Sequence, residues 1–141
     1  MDKDNHIKKI NEKISDFSIL LLSSDHDPLY QIDQSDLIKI CKVLKTDKEL
    51  DYSILIDICA VDYLTYGHAD WKTNEATKTG YSRAVEHKII ADDDDEFPNR
   101  FAIFYQLLSI SNNTRLTLKT FTTKVNPPTV PSINKIWNSA N

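Results

Sequence analysis

Residues 100–141, RFAIFYQLLSISNNTRLTLKTFTTKVNPPTVPSINKIWNSAN, decide the fold. Phe101, Ile103, Tyr105 and Leu107 alternate with Ala102, Phe104, Gln106 and Leu108. That period of two sends successive side chains to opposite faces of a strand. Asn112 and Asn113 suit the positive φ values of a tight hairpin turn. On the return, Leu116 and Leu118 share one face, while Arg115, Thr117 and Lys119 take the other. Both faces of the first strand are apolar, so it is expected inside its sheet, each buried large side chain contributing ~1.5–3 kcal/mol.

Pro127, Pro128 and Pro131 then keep the chain out of a central strand, because a proline ring fixes φ and supplies no N–H. Ser132 is placed to cap a helix carrying Ile133, Ile136 and Trp137 at i, i+3 and i+4. A helix that short is marginal in water. Packing must hold it, on its own sheet or on a partner.

Upstream, Ile7, Ile10 and Ile14 lie at helical spacing within residues 3–15. The stripe is thin, so this amphipathic helix is expected to dock weakly or on a partner. Residues 17–23 read as a short buried strand, 25–28 as a turn, and 29–32 as a second short strand. Asp33 or Ser35 can cap the next helix, whose apolar face is Leu37, Ile38, Cys41, Val43 and Leu44. Residues 52–64, YSILIDICAVDYL, favour a strand with a bend. Residues 65–99 are polar and hold both glycines and five consecutive acids at 92–96, so they read as an insertion more mobile than the hairpin.

The expectation is an α+β fold: a mixed or antiparallel sheet of about four strands with helices on one face. An N-terminal helix occupies residues 1–16. A single domain occupies 17–141, with the insertion at 65–99 and a truncated C-terminal helix.

Composition excludes several functions. With Gly67 and Gly80 as the only glycines, neither a dinucleotide fingerprint nor a P-loop can be built. Cys41 and Cys59 cannot alone hold an iron–sulfur cluster, and each lies in an apolar pattern, so both read as buried reduced thiols. A net charge of −4 gives no basic footprint for nucleic acid. The apolar run at 19–22 is far too short to span a membrane.

Candidate chemistry is thin. Asp25, His26 and Asp27 sit beside Pro28 and read as a turn rather than metal ligands. The run at 92–96 lacks the spacing of a calcium loop. His68 and His87 read as surface residues. Asp57 and Asp62 are the best carboxylate pair for a small hydrolase, but their odd spacing puts them on opposite faces of a strand. No catalytic residue, cofactor or metal site is expected.

The same residues carry a resemblance. LIDICAVDY at 55–63 is similar to an LIDLTAVDY-like stretch of the C subunit of proton-pumping NADH–quinone oxidoreductase, respiratory complex I. RFAIFYQLLS resembles that family's RFEVVYHLLS pattern. RLTLKTFT at 115–122 follows, and Pro131, Ser132, Ile136, Trp137, Ser139, Ala140 and Asn141 match its PSVTxIWxSANW-type segment. The family continues into an acidic helix and an arginine-rich tail, so the chain reads as C-terminally truncated. The insertion is long for the family.

The resemblance implies a cofactor-free subunit of the hydrophilic arm, supporting electron transfer from NADH to quinone. It implies packing beside the quinone-site subunit and near cluster-bearing neighbours. It also implies a peripheral position on the cytoplasmic side of the bacterial inner membrane, with membrane contact only through the complex. Pro131, Ser132, Ile133, Ile136 and Trp137 are then the expected partner interface. The alternative is a free-standing protein-binding domain derived from that family, with a homodimer among its forms.

Overall fold

The structure is a computed structural model that describes residues 3–64, 66, 71–73, 85–87, 99–123 and 126–140. The elements run α1 (Lys3–Lys13), β1 (Ile19–Ser23), β2 (Leu29–Ile32), a 3-10 turn (Gln34–Asp36), α2 (Leu37–Thr46), β3 (Ile54–Asp62), β4 (Trp71–Thr73), β5 (Val85–His87), β6 (Phe101–Ser109) and β7 (Thr114–Phe121).

The main sheet has five strands rather than about four, in the order β1-β2-β7-β6-β3. The β6–β7 hairpin places Tyr105 opposite Leu118 and Leu107 opposite Leu116. Its turn puts Asn113 at φ 50°, a conformation asparagine tolerates better than most residues. β2 lies parallel to β7, Leu29 beside Thr117, and the other pairings are antiparallel. The sheet is therefore mixed. β4 and β5 form a separate two-stranded ladder inside the insertion. Apart from these strands, Tyr66 and Asn99, the insertion, including His68 and the run at 92–96, lies outside the described residues. So does the side chain of His87.

One face of the sheet carries the core. Tyr30, Tyr105, Leu107, Leu116 and Leu118 come from the strands, and Leu37, Ile40, Cys41 and Leu44 come down from α2. Ile40 stands at i+3 from Leu37 and completes the buried stripe, while Ile38 and Val43 pack partly buried beside it. Asp33 caps the 3-10 turn, its carboxylate accepting from the Ser35 N–H at 2.8 Å. That bond holds the Asp33 carboxyl below the usual carboxylate range. α2 starts one turn later.

Three expectations need correction. First, α1 packs into this chain's own core, with Ile10 and Ile14 fully buried. What an apolar count misses is His6. Its Nε2 lies 2.8 Å from the Tyr52 hydroxyl and 3.1 Å from Thr114 Oγ1. Tyr30 adds a hydroxyl donated to Asn11 Oδ1 at 2.8 Å, and Lys13 pairs with Asp47 at 2.9 Å. α1 therefore shares one core with the residues that follow it.

Second, β1 is an edge strand, not a buried one: Leu20, Leu21 and Leu22 are 56%, 38% and 43% exposed. Third, the C-terminal segment forms a turn, not a helix. The Ile136 and Trp137 N–H groups both donate to the Ile133 carbonyl, and the Ala140 N–H donates back to Trp137. The Ser132 hydroxyl does accept from the Asn134 N–H, at 3.3 Å, but no further turn follows.

Candidate interaction surface

The C-terminal segment is the interface expected from the sequence, and its five residues divide. Ile133, Ile136 and Trp137 are 2%, 7% and 3% exposed, within the chain's own core. Pro131 and Ser132 stay exposed. The indole Nε1–H of Trp137 donates to the Tyr52 carbonyl at 3.3 Å. Lys45 lies with its ammonium 5.8 Å from the Trp137 ring centre and donates to the Ile136 carbonyl. α2 and the end of the chain are thus stitched together by a cation held over an aromatic ring.

Beside this segment runs β3, at one edge of the sheet. The bend expected in its sequence is a bulge between Leu55 and Asp57. The two carboxylates do not converge. Asp57 accepts from the Ile58 N–H at 2.8 Å. Asp62 is bound through both oxygens by Arg100, at 2.9 and 2.8 Å, which pulls its carboxyl below the usual range. No acid–base pair arises from them. Asp25, His26 and Asp27 are exposed in a turn, as the sequence predicts.

One of the two cysteines, Cys59, differs from the expected burial. Cys41 is buried, and its thiol is pushed up to about 12 by that burial. Cys59 is only partly buried, because β3 is an edge. Among the described residues no group of three histidine, cysteine or acidic side chains could hold a metal.

Both described helices pack on the core face, so among the described residues the sheet's other face carries none. Lys119 projects there, its ammonium 4.5 Å from the Phe121 ring centre, 4.9 Å from Tyr63 and 5.6 Å from Phe104. The alternation in the sequence places Lys119 on this face, but the rings meet it only through strand register: Phe104 lies opposite Lys119. Among the described residues nothing forms an enclosed reaction site. What the molecule offers is surface: an apolar edge, a cationic aromatic patch and a C-terminal segment half absorbed into the core.

Residues 30–141 match the family described as respiratory-chain NADH dehydrogenase, 30 Kd subunit. The chain belongs to this family. Curated relatives agree, each of them the C subunit of an NADH-quinone oxidoreductase. The chain is 34% identical over 139 residues to the Coxiella burnetii protein, covering 99% of this chain and 61% of that protein. It is 39% identical over 120 residues to the Vesicomyosocius okutanii protein, covering 85% of this chain and 55% of the relative. For Legionella pneumophila the identity is 35% over 135 residues, covering 96% and 59%. The chain therefore spans about three-fifths of the length of these relatives. Among the described residues no helix is long and apolar enough to cross a membrane.

Proposed function

We propose that this 30 Kd-subunit family member serves as a non-catalytic subunit of an NADH–quinone oxidoreductase. It contributes interfaces rather than reacting groups to electron transfer from NADH to quinone. The family match over residues 30–141 carries this reading. The chemistry of the described residues supports it: the best carboxylate pair is split between opposite faces of a strand, and the apolar surface is extensive.

In this reading the chain packs beside the quinone-site subunit, peripherally, on the cytoplasmic side of the bacterial inner membrane. Pro131 and Ser132, exposed next to a buried Ile133, are the members of the C-terminal segment free to touch that neighbour. One observation favours the alternative of a free-standing binding domain. Ile133, Ile136 and Trp137 cover themselves within this chain instead of offering an apolar face.

Affinity purification of the tagged full chain from detergent-solubilised membranes tests the choice. Recovery of the quinone-site subunit together with NADH–quinone activity is expected. Recovery of the chain alone, well folded, would reject the subunit reading in favour of the free-standing one.

A further inference from the structure

β3 is a nine-residue edge strand, and its register with β6 settles which backbone groups face outward. The Tyr63 N–H donates to the Arg100 carbonyl at 2.8 Å, so Tyr63 and Arg100 form a hydrogen-bonded pair. In an antiparallel ladder such pairs alternate with pairs whose N–H and C=O groups point away from each other. Further back along the register, Val61–Ala102 and Cys59–Phe104 are bonded pairs, while Asp62, Ala60 and Ile58 face outward. The central strand β7 fits the same alternation on the far side of β6: the Thr122 N–H donates to the Phe101 carbonyl.

Among the described residues the outer edge of β3 is hardly defended. The sequence ILIDICAVD contains no lysine and no proline, the residues that commonly blunt an edge. Ile54, Ile56 and Ile58 are 38%, 46% and 39% exposed. Among the described residues one guard is seen, Asp57, whose carboxylate accepts from the Ile58 N–H. The Ala60 side chain is exposed, and it opens onto a groove of about 350 Å³ between the sheet and the C-terminal segment, with Ile103, Val130 and Pro131 among its walls.

We propose that this edge receives an extended strand from another polypeptide, adding a sixth strand beside β3. Outward N–H and C=O groups at Ala60 and Asp62 select an extended backbone, not a helix, because only a strand presents complementary groups at that repeat. A residue paired with Ala60 points its side chain to Ala60's face, into the apolar groove, and is small or β-branched. A residue paired with Asp57 lies on the opposite face and meets an exposed carboxylate with no ion-pair partner among the described residues. The guest strand therefore carries a lysine or arginine separated from its groove residue by the Ala60-to-Asp57 spacing. Charge argues against a second copy as the guest: β3 brings two acids and no cation to its own edge.

The probe is a capped synthetic peptide of about ten residues, alternating threonine and valine with one such lysine. It is titrated into the isotope-labelled full chain and followed by amide NMR. Saturable shifts centred on Ile58, Ala60 and Asp62 are expected, with slowed exchange of the Ala60 and Asp62 amides. Ala60→Pro removes an N–H that the sheet does not use and is expected to keep the melting temperature while weakening binding about tenfold or more. Should that variant fold poorly, Asp57→Lys serves instead. It weakens the lysine peptide and favours the same peptide bearing glutamate. Absence of binding, binding at β1, or binding indifferent to both variants overturns the proposal. So does a dimer of the chain alone formed through β3, detected by sedimentation.

Discussion

Trp137→Ala tests whether the C-terminal segment belongs to this chain's core. The indole is 3% exposed, accepts a lysine over its ring and donates to the Tyr52 carbonyl. Truncating a buried tryptophan to alanine costs about 3–5 kcal/mol, from lost transfer energy and the cavity left behind. At 3.3 Å the indole hydrogen bond is long, so it accounts for about 1 kcal/mol or less of that total. Trp137→Phe keeps most of the packing and loses the donor, so it should cost about 1–2 kcal/mol. The assay is urea denaturation of the full chain, with a slope of about 1–3 kcal/mol/M. The alanine variant should move the midpoint down by about 2 M and the phenylalanine variant by under about 1 M, at unchanged slope. A shift for Trp137→Ala below about 0.5 M would refute the reasoning, since the segment would then lie on the fold without supporting it.

Four further outcomes are expected. Burial, with Lys9 and the N-terminus nearby, lowers the His6 pKa below 6.5, and its buried Nδ1 has no partner among the described residues. Docking of α1 is then fully present above pH 6.5 and weakens as pH falls toward the lowered value; His6→Gln should flatten that slope in a pH series of melting temperatures. Native-state alkylation should label Cys59 and spare Cys41, whose thiol burial pushes up to about 12; labelling of both at equal rates contradicts the packing of α2. Asn113→Gly should leave stability within about 0.5 kcal/mol while Asn113→Val costs about 1–2, read from melting curves, because φ is 50° there. Arg100→Met should cost under about 1 kcal/mol, since Asp62 is 40% exposed. That loss should vanish as pH falls through the depressed Asp62 pKa, and a constant loss across the acid range would mean the ion pair is not its source.

The parts of the fold legible in the sequence are those set by local period. Phe101 to Leu108 alternate cleanly, and both strand and facing survive in the structure. The α2 stripe and the Asp33 cap are equally local. What stays illegible in the sequence is adjacency. The run ILLL reads as buried, yet β1 sits at an edge, because a short apolar run carries no record of its place in the strand order. Cys59 is only partly buried for the same reason. α1 looks weakly amphipathic because a histidine takes the place of an apolar residue: buried, it reaches Tyr52 and Thr114, far along the chain. At the C-terminus, helical spacing of Ile133, Ile136 and Trp137 describes one turn correctly and says nothing about a second. The candidate edge is half visible, since LIDICAVD can be read as a strand, but its outward hydrogen-bonding parity requires the register.

The parallel contact of β2 with β7 orders events during synthesis. Leu29 pairs with Thr117, so the amino-terminal hairpin has no sheet to join until the strand about ninety residues further on has been made. α1 depends on the same late arrival, because His6 reaches Thr114. Contacts this distant in sequence are closed late and slowly. A ribosome-bound nascent chain that has released β1 through β3 therefore exposes an isoleucine-rich β3 whose partner β6 is still unmade and a leucine-rich β1–β2 pair with no β7 to join, the state in which a chaperone meets it.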